Sequence, residues 1–469
     1  MKIKSFFAAL LAVLVFSACS NEVDNLPPVD VEIEGQGYLV LNLVNPPTTR
    51  TATGGGVTDP GTVGESNIES LTVVLTDEDG KITYVANPVV ESLSAKFQIT
   101  LGGHYVYAIV NCPTEVTFAK DENIHRVIGI AAAAEATSGY KGGSFLMVNK
   151  CNSSDEDFGV YTVVTENNSV NNPAVVNIFV DRVACKIFDV TTTPTVAGLP
   201  TETNNIVDGV DVVGFVLLNV NKEFNLIQTW SKINDKDDDV LSTPLYPGTG
   251  RIAEQYFHNI SEYTTLGKNG DNKIISLTDE TIGKDNLFVS GPVYTSENRP
   301  TIIEVDDNRI TSGRGETTGV IYKVQAKKGG SNIGTFYKYN NEVYTELAAI
   351  QALPEFDEIN LASKSIPERR GLGIKVYEDG VMYYTYFIRD PNTAHQYKEM
   401  NYYGVFRNSS YKLAVSNISS TGDDVPGGGV VDPGGEGEPG NPPIDTKEAY
   451  ISVNVTVNPW ILNVISIDF

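Results

Sequence analysis

Histidine, cysteine and positive charge are all scarce in this 469-residue sequence, and each scarcity excludes something. The four histidines (His104, His125, His258 and His395) are scattered and form no HExxH or comparable ligand pair. Of the four cysteines, Cys112, Cys151 and Cys185 form an odd set without CxxC spacing, neither a disulfide framework nor a zinc site. They read as buried thiols, with one bonded pair as the lesser alternative. No GxSxG elbow, P-loop or strand–GxGxxG–helix unit is present, and no metal or cofactor is expected. The absence of short motifs weighs against an enzyme, although a carboxylate pair for glycoside hydrolysis is set by the fold and not by spacing. Lys and Arg number 34 against 59 acids, for a net charge of −25. That charge repels nucleic-acid phosphates and favours a soluble, self-repelling surface.

What is present is strand-forming. Hydrophobic content of 41% is globular, and 469 residues exceed one ordinary core, so two domains are expected. Asn, Thr, Val, Tyr and Gly are plentiful while helical patterns are few, which gives an all-β class.

Residues 1–18 form a leader: Lys2 and Lys4, an apolar run from Phe6 to Phe16, then Ser17 and Ala18 before Cys19. The run is too short to cross a bilayer. Small residues entering a cysteine resemble a bacterial lipobox, in which Cys19 becomes the acylated N-terminus, with Phe16 departing from the usual Leu or Val. Tyr38 to Val44 then reads as a strand with Leu39, Leu41 and Leu43 on one face. The Pro- and Gly-rich piece Asn45 to Gly56 follows, with Arg50 at its centre; a loop arginine is ordinarily just solvated, and the alternative is a protease site ahead of Thr51.

Further along, Ile68–Thr76 and Lys81–Ala86 flank the turn Asp77–Gly80 as a hairpin, and Ala95–Leu101 with Tyr105–Asn111 read as a second strand pair. Between Asp121 and Ala136, Ile124, Val127, Ile128 and Ala131 predict an amphipathic helix. Another short helix is expected over Glu342–Ala352. Gly373–Tyr377 and Val381–Ile388 read as strands joined by Glu378–Gly380. The acidic loop Asn234–Asp239 reads as solvated.

The end of the chain is unusual. In Ala449–Phe469, Ile451, Val453, Val455 and Val457 alternate with Ser452, Asn454 and Thr456, the signature of a strand with one buried face; Pro459 ends the alternation before Trp460. Ahead of it, Thr421–Pro443 is Gly, Pro and acid, with a coil reach of roughly 25 Å over about 23 residues. Two readings are open. The strand docks at a distance, on another molecule, or it closes its own sandwich after a long surface loop.

These pieces together resemble the FimA-like major fimbrial subunits (fimbrillins) of Bacteroidales type V pili. The carrying residues are the lipobox at Cys19, Tyr38–Val44 with Arg50, Asp181–Lys186, Val376–Phe387, Tyr403–Asn408 with Tyr411, and the tail through Asn458, Pro459 and Trp460. The resemblance implies two transthyretin-like β-sandwich domains with a few short helices and a tethered C-terminal strand. Its division is residues 1–18 signal peptide, 19–50 lipidated propeptide with the first strand, 51–173 and 174–420 the sandwiches, 421–446 linker, and 447–469 donor strand. It further implies a precursor palmitoylated at Cys19 on the outer membrane, which an arginine-specific protease cuts between Arg50 and Thr51. The strand of Leu39, Leu41 and Leu43 is then displaced. The next subunit fills the groove with Ile451, Val453, Val455, Val457 and Trp460, building an extracellular fimbria for adhesion and biofilm. Implied partners are copies of the chain, accessory fimbrial subunits, the protease, and host or bacterial surface receptors. The competing readings are a surface glycan-binding lipoprotein using Tyr383, Tyr384, Tyr386, Tyr402 and Tyr403, or an anchor or tip subunit.

Overall fold

The computed structural model describes residues 35–44, 59, 61–91, 93–130, 144–150, 159–218, 220–221, 223–232, 239–242, 257–258, 288, 291–298, 302–306, 309–312, 317–389, 403–426 and 451–459. Strands dominate them, as the all-β composition implies. An eight-stranded sheet runs β3 (Ile82–Ala86), β2 (Leu71–Thr76), β5 (Gly102–Val110), β7 (Met147–Asn149), β9 (Ala174–Arg182), β1 (Gln36–Val44) and β4 (Ser94–Thr100), with β8 (Val160–Val164) paired to β5. Leu39, Leu41 and Leu43 of β1 share one core with Leu71, Val73 and Leu75 of β2, so the two ends of this sheet are layered over a common interior.

The second core lies between two sheets. One runs β17 (Val293–Ser296), β10 (Ala184–Asp189), β26 (Ser409–Ile418) and β27 (Ile451–Pro459); the other is β11 (Gly209–Leu218), β20 (Gly319–Lys328) and β21 (Ser331–Asn332), with β25 (Val381–Phe387) also on β20. Phe215, Tyr322, Tyr384 and Tyr411 fill it. A small third core, around Ile350, Phe356 and Ile374, sits under β22 (Phe336–Tyr339), β23 (Glu342–Tyr344) and β24 (Lys375–Tyr377). Two-stranded ribbons complete the set: β6 (Ile128–Ile130) with β13 (Glu223–Asn225), β12 (Val220–Asn221) with β16 (Phe257–His258), β14 (Thr229–Lys232) with β15 (Asp239–Ser242), and β18 (Ile302–Asp306) with β19 (Arg309–Ser312). Short helices are α1 (Leu199–Glu202), α2 (Leu347–Gln351) and α3 (Ile366–Gly371), the last closed by a capping box between Ser365 and Glu368.

The β2–β3 hairpin forms as its sequence indicates. Asp77 Oδ1 accepts from the amides of Asp79 and Lys81, and Gly80 takes a φ of +74°. Other local expectations fail for a common reason: neighbours in sequence are not neighbours in the sheet. β4 pairs with β1, and β5 with β2, β7 and β8. β24 and β25 join different sheets. Ala174–Arg182, at the start of the second expected unit, is a strand of the first sheet, and Phe224, Leu226, Ile227 and Tyr294 also enter the first core.

The helix expected from Asp121 is a single 3-10 turn at Ile124–Arg126 followed by β6; the rest of that segment lies outside the described residues. Val127 is already extended, Gly129 weakens a helix, and β13 supplies a ladder for the β-branched pair Ile128 and Ile130. Glu342–Tyr344 is likewise a strand, because Val343 packs in the second core while Ile350, seven residues on, packs in the third.

Candidate functional site: a strand held from both sides

Strand β1 is bonded along both edges. It runs parallel to β9, with Leu41 opposite Val176, and antiparallel to β4, with Leu41 opposite Ala95. Leu39 and Leu41 have no exposed surface and Leu43 is 5% exposed, while Val40, Asn42 and Val44 face outward. Gly37 is required by crowding: a Cβ there would lie 2.6 Å from Val164 Cγ1 and 3.1 Å from the carbonyl oxygens of Thr165 and Asn168. Taking β1 away would open an apolar trough between two unpaired strand edges, a template for a replacement strand. Six residues beyond β1 stands Arg50; it, Thr51 and Cys19 lie outside the described residues.

Among the described residues, strand β27 pairs with one strand, β26. It lies antiparallel to β26 at the end of its sheet, from Ser409 opposite Pro459 to Ile418 opposite Ile451. Ile451, Val453 and Val457 are buried in the second core, Val455 is half-buried, and Ser452 and Asn454 are exposed. The alternation read from the sequence is thus the alternation observed, and the strand's place here is on its own sandwich. Trp460 lies outside the described residues. The glycine- and acid-rich stretch before β27 is tied at its start: Asp423 pairs with Tyr383, Thr421 bonds Glu202, and Asp424 holds Arg370. Composition gave no sign of these anchors.

Between the two main cores lies a buried polar seam. Glu65 accepts from the Tyr294 hydroxyl at 2.6 Å and from the Thr62 amide at 2.6 Å, and pairs with Lys186 Nζ at 2.9 Å. Burial alone would raise its pKa; the bonds from Tyr294, Thr62 and Lys186 outweigh that and hold it below 4.5. Arg182 donates from Nε to the Glu65 carbonyl at 2.8 Å and from Nη2 to Ser66 Oγ at 3.1 Å. Burial lowers its pKa to about 10, against the nearby carboxylates of Glu65, Asp181 and Asp59. Asn408 Nδ2 donates to Asp181 at 2.6 Å, and Ser410 Oγ donates to Asp59 at 2.7 Å. Next to this seam Arg407 pairs with buried Glu297 and donates to the carbonyls of Asn225 and Leu226. The segments Asp181–Lys186 and Tyr403–Asn408 are therefore the two sides of one joint. A signal for it was available: Asp181, Arg182 and Lys186 place charges in a largely apolar strand run. Nothing in the sequence marked Glu65, Tyr294 or Glu297.

Among the described residues no cluster of His, Cys, Asp and Glu is arranged to hold a metal, and no helix is long and apolar enough to cross a membrane. Tyr384 and Tyr386 are buried and Tyr383 and Tyr403 half-buried against the second core, so these tyrosines are not aromatics on exposed loops; Tyr402 lies outside the described residues.

Residues 375–465, which contain β24, β25, β26 and β27, match the family model described as major fimbrial subunit protein type IV, fimbrillin, C-terminal. The match is confined to this C-terminal region. Similar solved structures include a fimbrillin from Porphyromonas gingivalis W83, with 12% identity, a TM-score of 0.45, and coverage of 91% of this chain and 98% of that one. A putative cell adhesion protein from Parabacteroides distasonis ATCC 8503 gives 13% identity, a TM-score of 0.46, and coverage of 91% and 99%. Another putative cell adhesion protein, from Bacteroides eggerthii DSM 20697, gives 13%, 0.41, and coverage of 91% and 97%. Among curated proteins nothing matches the chain.

Proposed function

We propose that this chain is a structural subunit of a cell-surface fimbria, exported as a precursor acylated at Cys19, cut after Arg50, and polymerised by strand exchange. The observation that carries this reading is the contrast between its two nine-residue strands. β1 is central, bonded on both edges, and joined to the downstream chain through the segment that contains Arg50. β27 lies at the end of its sheet, paired among the described residues with β26, and is preceded by a long Gly- and Pro-rich stretch.

While β1 is attached it fills its own trough, and the precursor stays single. A cut after Arg50 by an arginine-specific protease frees β1 to leave, yet Asp59 and Glu65, a few residues on, stay fastened in the seam. The trough then accepts β27 of another copy. Four side chains such as Ile451, Val453, Val455 and Val457, fully buried, contribute roughly 1.5–3 kcal/mol each, or about 6–12 kcal/mol gross, comparable with a domain's stability. Such a head-to-tail contact does not close on itself and grows as a filament, bringing many copies to host or bacterial surfaces for adhesion and biofilm. Accessory fimbrial subunits join by the same strand-in-trough contact.

Replacing Arg50 with Ala tests the cut. The variant should stay at the outer membrane as one uncut species without fimbriae, seen by N-terminal sequencing and electron microscopy of sheared surface material. Fimbriae of normal length from Arg50→Ala cells would reject the reading.

A further inference from the structure

The outer face of β1 carries a feature that the core-facing leucines do not explain. Asn42 stands opposite Ser94 of β4 on one side and Asn177 of β9 on the other. Ser94 Oγ donates to Asn42 Oδ1 at 2.8 Å, and Asn42 Nδ2 donates to Asn177 Oδ1 at 2.9 Å. One amide thus bridges three strands, accepting from one neighbour and donating to the other. Four residues earlier, the Tyr38 hydroxyl accepts from Gln98 Nε2 at 2.9 Å on the same face.

We propose that Asn454 sets the register of the incoming strand. Tyr450–Thr456 replaces Tyr38–Val44 residue for residue and in the same direction, with Asn454 between Ser94 and Asn177 of a second copy of this chain. The inference rests on the strand-exchange reading above and adds direction and register to it. Tyr-Leu-Val-Leu-Asn-Leu-Val in β1 and Tyr-Ile-Ser-Val-Asn-Val-Thr in the tail share Tyr, an inward apolar residue at every second place, and Asn four positions after Tyr.

A shift by two residues keeps the apolar face inward but puts Ser452 or Thr456 in the bridging place. Adjacent strands lie about 4.8 Å apart, and a hydroxyl on Cβ is too short to reach both neighbours. Asn458 also carries an amide, but placing it there puts Pro459 where the Leu43 amide donates to the Leu93 carbonyl at 2.8 Å, and proline has no such donor. Asn454 alone meets both conditions. In its place on β27 it is exposed and makes no side-chain hydrogen bond among the described residues, so its amide is unused there. Ala449 falls at the Gly37 position, which is closed to a Cβ by Val164, so the match starts at Tyr450.

The test uses full chain cut after Arg50, with a reporter that leaves the bridging residues intact. In β4, Lys96 pairs with Val40 and Gln98 with Tyr38, so Ser452 in the proposed register lies opposite Lys96 of the next subunit. Ser452→Cys is combined with either Lys96→Cys or Gln98→Cys, polymerised, and oxidised. The linked peptides are mapped by mass spectrometry. Links to Lys96→Cys should exceed those to Gln98→Cys at least tenfold, and Asn454→Ala should reduce that ratio to near one. Polymers linked equally or better through Gln98→Cys, or through neither site, would overturn the register and leave strand exchange standing. A ratio untouched by Asn454→Ala would overturn the role of Asn454. Absence of polymer from the cut chain before any cysteine is introduced would remove both the register and the reading beneath it.

Discussion

Glu65 is one carboxylate on which two cores depend. Tyr294 and Lys186 come from strands of the second sandwich's sheet, while Glu65 and Thr62 belong to the segment leading into β2 of the first. Its folded pKa lies below the ordinary 4.5, so its contribution to stability is present above that value and is lost as pH falls through the folded value. Glu65→Gln should therefore lower the urea midpoint at pH 7 and narrow its gap from the parent protein as the pH is taken from about 5 towards 3. A gap that stays constant over that range would show that the charge of Glu65 does not matter to the seam. At this scale the sequence was only half legible. Buried-type charges in an apolar strand, Arg182 and Lys186, are visible as anomalies, but their partner lies more than a hundred residues earlier, and no local pattern records that distance.

At the scale of elements, alternation was reliable and pairing was not. The inward faces of β1 and β27 follow directly from period-two alternation. What each strand pairs with follows from the whole topology, so the expected partnership of β4 with β5 fails where the strands themselves succeed, and β24 and β25, joined by Glu378–Gly380 as expected, still pair in different sheets. The tail shows the same limit: its sequence fitted both a remote and a local place, and the structure occupies the local one. That placement has a consequence. Ile451, Val453 and Val457 belong to the second core, so deleting residues 447–469 should strip the second sandwich of about three buried side chains, roughly 5–9 kcal/mol gross as an upper bound. In calorimetry the deletion variant should keep one unfolding transition near its parent temperature and show the other lowered by ten degrees or more. Two unshifted transitions would mean that β27 adds nothing to its own sandwich. The two strands also differ in bulk. Val453 and Val455 each lack one methylene relative to Leu41 and Leu43, a deficit of about 1.6 kcal/mol for the incoming strand. In the proposed exchange an attached β1 would therefore win its own trough, and severing it would give β27 access.

As a whole, the proposed subunit would carry a plug, β1, and a key of matching length, β27, with the candidate cut site Arg50 beside the plug. A formal net charge of −25 would keep free copies apart, and screening by salt should hasten assembly once the plug is gone. The most direct measurement is the size distribution, by analytical ultracentrifugation, of four purified proteins: the uncut chain, the chain cut after Arg50, and each of these lacking residues 447–469. The cut chain with its tail should form a ladder of head-to-tail oligomers, and the other three should sediment as single copies. Oligomers from the uncut chain, or from the cut chain without its tail, would contradict the claim that β27 of one copy replaces β1 of the next.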